Sequence, residues 1–282
     1  MKQLAFLCAF LAWSWSSHAQ FHLFKSKKTD STATASRDST GFGAKPTAAH
    51  KSKHHQVLPL RSFYTLAGKV HDTSKAFLWI AIRDSVIKGV IRYGRVGDQE
   101  YRGDSLPVYG TLERDGRLLF CGFSRDGNMT TGFAGKIIDD SVFQGNWFGF
   151  TSNTSFVCSL FRRDSVPPGI DTSIQAVLVD GTYSYHIGDL GAAGGIILHK
   201  ESPGVLSIDL GCAGGPPDYA SAMVKSPQVP FDGTSAEYDS PGRPGCKLRI
   251  RVFKDFVVIA YARGLNQCNY GTSVEGVFAR IK

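Results

Sequence analysis

From residue 62 to the last residue, no stretch of about 12 residues carries the apolar period of an amphipathic helix. The chain is instead cut into short apolar or alternating runs, each closed by turn residues. The first group of runs is "FYTLAGKV", "AFLWIAIRD", "VIKGVIRYG", "VYGTLER", "RLLFCGFSR", "MTTGFAGKII", "SVFQGNWFGF" and "SFVCSLFRR". "RDGR" and "RDGN" place Asp-Gly between strands, the strongest short-range hairpin signal, and predict type I′ turns. "RDSV" and "DDSV" supply further polar turns. Consecutive hairpins make a meander, and about eight strands in about 100 residues suit a small closed barrel or a tight sandwich. Closure would remove exposed strand edges. Trp79, in a run apolar on both faces, and Trp147 in "GNWFGF" are both read as core.

"VPPG" at 166–169 stops any strand, so 165–178 is read as a linker between a first β-domain at 62–164 and a second at 179–282. The second holds the runs "TYSYHIG", "GGIILHK", "GVLSIDLG", "DYASAMVKS", "TSAEYDS", "CKLRIRVF", "DFVVIAYA" and "SVEGVFARI". The predicted fold is therefore all-β, with two small antiparallel meander barrels or sandwiches in tandem. "DYASAMV" is also compatible with a helical turn.

The N-terminal 61 residues differ in kind. "MKQLAFLCAFLAWSWSSHA" has one basic residue, an apolar core and small residues near Ala19, the pattern of a signal peptide at 1–19. The apolar run is too short for a spanning helix. Cys8 lies within it and lacks the small residues that precede a lipidated cysteine. Residues 20–61, rich in Ser, Thr, Ala and Lys, show no sustained period and are predicted to be a disordered basic linker. Nine of the 32 Lys and Arg precede residue 62 but only two of the 24 acids, so the formal charge of +8 falls to +1 over 62–282. A basic tail on a neutral body suits a spacer, or a tether to an anionic envelope surface such as lipopolysaccharide, phospholipid or wall polymer. "HKSKHH" is read as part of that linker rather than as a metal site. The neutral body argues against nucleic-acid binding.

Export permits disulfides. Beyond the leader stand Cys121, Cys158, Cys212, Cys246 and Cys268, an odd number. Cys246 shares a strand face with Leu248, Ile250 and Val252, while Lys247, Arg249 and Arg251 take the other face, read as solvated. A Cys246–Cys268 bond would tie the hairpin between them to the last strand; the rival is that Cys212 pairs with one of the two. Cys121 and Cys158 both fit inward-facing positions and form either a disulfide or two small buried apolar residues.

Catalytic signatures are not found. Of the histidines beyond the tail, His71, His186 and His199, none sits in a nucleophile-elbow context. Asp139 and Asp140 are adjacent and point apart in an extended segment. The folded part shows no Cys–His metal spacing, and no cofactor is expected. The glycine clusters "GDLGAAGG" and "GCAGGPP" lack the strand–turn–helix setting of a phosphate loop. They are read as tight turns lining one barrel mouth, with His186, Asp189 and Asp218 as a possible pocket.

The ending "CKLRIRVFKDFVVIAYARGLNQCNYGTSVEGVFARIK" resembles the C-terminal part of secreted β-proteins of Bacteroidota. Those chains place a Cys before an alternating strand, a second Cys followed by an aromatic residue and Gly, and a closing strand with Gly; here Cys246, Cys268, Tyr270, Gly271 and Gly276 match. It is also similar to small periplasmic lysozyme-inhibitor-like modules. The resemblance implies an all-β fold and a periplasmic or extracellular location. Against an inhibitor role, the basic tail would be repelled by cationic lysozymes. The expected function is an exported, non-catalytic binding module that contacts an envelope polymer or a protein partner. The alternative is a wall hydrolase, or an inhibitor of one, acting at the glycine-rich mouth.

Overall fold

The structure is a computed structural model that describes residues 60–98, 104–164, 171, 173–177, 180–188, 191–217, 219–241, 243–262, 268 and 270–281. All sixteen strand-like runs of the sequence form strands, and "DYASAMV" falls partly in one of them rather than in a helix. The first eight are β1 (Phe63–His71), β2 (Ser74–Arg83), β3 (Val86–Arg95), β4 (Leu106–Leu112), β5 (Leu118–Phe123), β6 (Met129–Ile138), β7 (Val142–Gly149) and β8 (Thr154–Arg162). They form an uninterrupted antiparallel meander that closes when β1 pairs with β8, from Leu66 opposite Arg162 to Lys69 opposite Ser159.

The turns divide differently from expectation. Positive φ at both central residues, the type I′ signature, occurs at Asp84 (50°) and Ser85 (64°) and at Asp139 (49°) and Asp140 (56°). In the Asp-Gly loops only Gly116 (80°) and Gly127 (79°) are positive. There the amide of Gly116 donates to Glu113 O (3.0 Å) and that of Gly127 to Ser124 O (3.2 Å). Each is a type I turn followed by a left-handed glycine bulge, so the extra residue rather than Asp-Gly itself sets the geometry.

Side chains fill the first barrel. Tyr64, Leu66, Leu78, Ile80, Ile87, Phe120, Phe133, Phe143 and Leu160 point inward and are buried. Phe120 stacks on Phe133 with ring centroids 4.9 Å apart. There is no room for side chains at Gly135 and Gly145, which lie opposite each other on β6 and β7; a Cβ on either would overlap the backbone of the facing strand, and one on Gly135 would also lie 2.7 Å from the Phe143 ring. Trp147 is part-buried against this core and donates from Nε1 to Tyr93 OH (3.1 Å). Trp79 is buried too, but on the outer wall, flanked by Thr65 and Val90.

Asp140 plugs one end of the barrel. It accepts from Tyr64 OH (2.9 Å) and Arg162 Nη1 (2.9 Å), and pairs with Arg61. Desolvation pushes its pKa up, but the hydrogen bonds from Tyr64 and Arg61 and the two guanidinium charges outweigh this and hold it below the usual carboxylate value. A depressed folded-state pKa contributes stability that is complete above the unfolded value and lost as pH falls through the folded one. Asp140→Asn is therefore expected to lower Tm near about pH 6, with the gap from wild type closing towards about pH 2. A gap independent of pH in melting curves would show that the charge of Asp140 contributes nothing.

The second unit comprises β9 (Gly181–His186), β10 (Ala193–Ser202), β11 (Val205–Ala213), β12 (Ser221–Pro230), β13 (Ser235–Asp239), β14 (Lys247–Val252), β15 (Phe256–Tyr261) and β16 (Gly276–Arg280). Its order is β12-β11-β10-β9-β16-β15-β14-β13. Two four-strand meanders are thus joined where the last strand sits beside the first, with Ala279 opposite Ser184. The sheet curls until its outer strands approach, and a single bridge between Phe231 and Ala236 spans the seam. Tyr183, Ile196, Leu198, Leu210, Leu248, Ile250, Val257 and Phe278 fill the interior.

The two units pack wall to wall. Tyr109 of β4 stacks on Phe256 of β15 at 4.4 Å, and Val86, Phe123, Met129 and Phe150 of the first barrel join the second core. Lys88, buried on the outer wall of β3, donates to Asp255 Oδ2 (3.0 Å) and to Ser173 O (3.0 Å). Ser173 and the buried Ile174 lie within the segment read as linker, and both pack against the folded units.

A candidate binding groove between the barrels

The wall-to-wall contact is incomplete, and where it opens it leaves a cavity of about 810 Å³. On one side the outward positions of β4 and β5 present Tyr109, Thr111, Leu119 and Cys121, with the Glu113–Arg117 turn above them. Facing them are the outward positions of β14, β15 and β16: Arg249, Arg251, Val258, Ala260 and Val277, with Glu275 beside them. Met129 and Phe150 extend the apolar floor. Strand alternation produces this division: the same parity that buries Leu248, Ile250, Val257 and Ile259 inside the second unit turns these side chains to the groove.

The basic face of β14 is not uniform. Its residues stand opposite those of β13 as Lys247 to Asp239, Arg249 to Glu237 and Arg251 to Ser235. Lys247 pairs with Asp239 at 2.7 Å, and Arg249 sends Nε and Nη2 to Glu237 Oε1 at 3.1 and 2.7 Å. Arg251 has a serine where its neighbours have acids. It crosses the groove instead, and its Nη1 donates to the backbone carbonyl of Asp84 (2.7 Å) in the β2–β3 turn. The carboxylate of Asp84 pairs with Arg83 (3.5 Å). Asp232, near Ser235 in the chain, is occupied by the backbone and hydroxyls of Ser235 and Thr234, and these bonds pull its pKa far down. Among the described residues, no carboxylate therefore lies within ion-pair distance of Arg251. Burial, and then the neighbouring Arg249, lower its pKa, and the Asp84 carboxylate acts against them with a smaller effect.

The described thiol of the groove is not an activated nucleophile. Burial pushes the Cys121 thiol up to about 12, leaving it protonated at neutral pH. Among the described residues, no group of three or more His, Cys, Asp or Glu is arranged to hold a metal ion.

The cysteine expectations resolve unequally. Cys246 and Cys268 are bonded, with Cα atoms 4.5 Å apart, and the guanidinium of Arg243 lies 4.5 Å above the Tyr270 ring beside them. The alternative pairing through Cys212 does not occur; that thiol is free and buried, and hydrogen-bonded with Tyr185. Cys121 and Cys158 are also free. Cys158 faces the barrel interior as expected, but Cys121 shares the outer wall with Tyr109 and packs against the second core, so the barrel wall separates the two. Both faces of β5 are apolar because both are covered, which hid this from parity alone.

Of the possible pocket at the glycine-rich mouth, His186 is an exposed residue at the end of β9 whose backbone bridges to Asn128. Asp189 and Asp218 lie outside the described residues. Gly194 nearby allows close packing, since a Cβ there would overlap the Tyr185 ring and lie 2.9 Å from that of Phe278. His71 stands edge-on to Phe156 at 4.2 Å, and His199 contacts Asp180 at 2.9 Å on the surface.

The chain matches no protein-family model, no curated protein and no solved structure. The groove was missed in the sequence because it depends on how the two units dock. One signal was available: aligning "SAEYD" antiparallel to "KLRIRV" sets a serine opposite the third basic residue.

Proposed function

We propose that the protein is an exported, non-catalytic binding module that holds a cell-envelope component in the groove between its two barrels, with the basic tail as a tether. The observation that carries this reading is the cavity itself. Its volume lies within the usual range for ligand sites, and it combines an apolar floor with walls that carry charged side chains of both signs. The interior of the first barrel is packed with side chains, which favours a site on its outer wall over one inside it. A disulfide supports an oxidising compartment, in line with the signal-peptide pattern. The protonated Cys121 favours binding over chemistry.

A pull-down on purified envelope material tests this, with mature protein and a variant lacking residues 20–60 at low and high salt. Both proteins are expected to bind, and binding of the folded body is expected to survive salt, which screens exposed charges over about 3 Å at 1 M. Binding that needs the tail and vanishes in salt would move the contact to the tail. Failure of both to bind would overturn the envelope reading.

A further inference from the structure

The geometry points to Arg251 as the recognition residue for a carboxylate on the ligand of this groove, a monoanion with an apolar body. The inference rests on the groove being the binding site. On β14, Lys247 and Arg249 each have a cross-strand acid, and Arg251 has Ser235. Its guanidinium is fixed from one end by the Asp84 carbonyl, which leaves the Nε and Nη2 edge without a described acceptor. That edge is the fork that receives a carboxylate with two parallel hydrogen bonds. A partly desolvated guanidinium gains more from a counter-ion than an exposed one.

The surroundings select among anions. The charged lining is balanced, with Asp84, Glu113, Asp115 and Glu275 against Arg114, Arg117, Arg249 and Arg251, so a phosphate dianion would leave twice the excess negative charge that a single carboxylate does. The floor of Tyr109, Phe150 and Val258 offers burial to an acyl or aromatic body. Free carboxylates of that kind come from peptide termini and from fatty acids, which share this chemistry.

The test is an NMR-detected titration of the mature protein with two matched pairs: N-acetyl-Phe-Ala as free acid and amide, and octanoate with octanamide. Phenyl phosphate serves as the dianion. The free acid of at least one pair is expected to bind in the groove about tenfold or more tightly than its amide; which pair responds separates peptide from acyl sources. Arg251→Gln is expected to erase the preference. Arg251→Lys, which keeps the charge and loses the fork, should retain only a small part of it. Ser235→Glu should also erase it by supplying the missing cross-strand acid while Arg251 remains. Equal binding of acid and amide, no binding by either pair, tighter binding of phenyl phosphate, or an undiminished preference in Ser235→Glu would each overturn the inference. Salt-resistant envelope binding alongside equal acid and amide binding would leave the groove reading standing without the carboxylate; loss of envelope binding would remove the groove reading itself.

Discussion

Gly89→Ala is expected to prevent the first barrel from forming. Gly89 sits on β3 between Ile87 and Ile91, facing inward, and pairs with Ile80. A methyl group there would overlap the Trp79 carbonyl oxygen and lie 2.9 Å from the Ile80 Cα. Both obstacles are backbone, so no rotamer change relieves them; β2 and β3 would have to separate, breaking a ladder that runs unbroken from Ser74–Arg95 to Arg83–Val86. The expected loss exceeds about 4 kcal/mol, at the far end of single-substitution effects, against a typical domain margin of about 5–15 kcal/mol. Gly211→Ala is the control. Gly211 lies on β11 with nothing within 4 Å of a Cβ, and its replacement is expected to stay within about 0.5 kcal/mol. Near-UV circular dichroism and thermal melting of the two variants decide the matter. A Gly89→Ala protein that melts like wild type would refute the strand register.

The second large effect concerns the disulfide. Cys246 and Cys268 are 22 residues apart, and both are fully buried. Cross-linking a loop of that length restricts the unfolded chain by about 3 kcal/mol. The double variant Cys246→Ala/Cys268→Ala is thus expected to melt about 6–12 °C lower than wild type. Wild type in reductant should move the same way. The three described thiols behave differently: burial raises Cys121 and Cys158 to about 12 and Cys212 to about 11. Each lies above its ordinary value, so the reactive thiolate stays scarce up to about pH 9. Without reductant, these thiols are expected to resist alkylation in the native protein at pH about 8 and to react together on unfolding. Rapid native labelling of Cys121 would show that the groove floor opens. An unchanged melting temperature in the double variant would show that the bond constrains nothing.

Local pattern carried most of the fold. Alternation and turn residues located every strand because a half-buried strand must repeat with period two whatever its neighbours do. The alternation of Cys246, Leu248, Ile250 and Val252 assigned β14 its buried face correctly. Parity failed where a strand is covered on both faces, as at Cys121 on β5, because apolar residues on both sides carry no direction; at Trp79, in a run apolar on both faces, the expectation of burial alone held. Turn chemistry failed at the Asp-Gly loops, where hairpin register and not the dipeptide decides the type. The site was the least legible part. Arg249 and Arg251 look equivalent in "KLRIRV", and only pairing with β13 and docking against the β2–β3 turn make one a cross-strand ion pair and the other a charge turned across the groove.

If the groove holds the ligand, a side chain that fills the groove must displace it. Ala260 is exposed on its wall, on β15 beside Arg249. Ala260→Trp would place an indole in the cavity without touching either core. In the high-salt envelope pull-down, wild type is expected to be retained and Ala260→Trp to be lost, with the two proteins melting at the same temperature. Retention of Ala260→Trp at the wild-type level would place the contact elsewhere on the molecule.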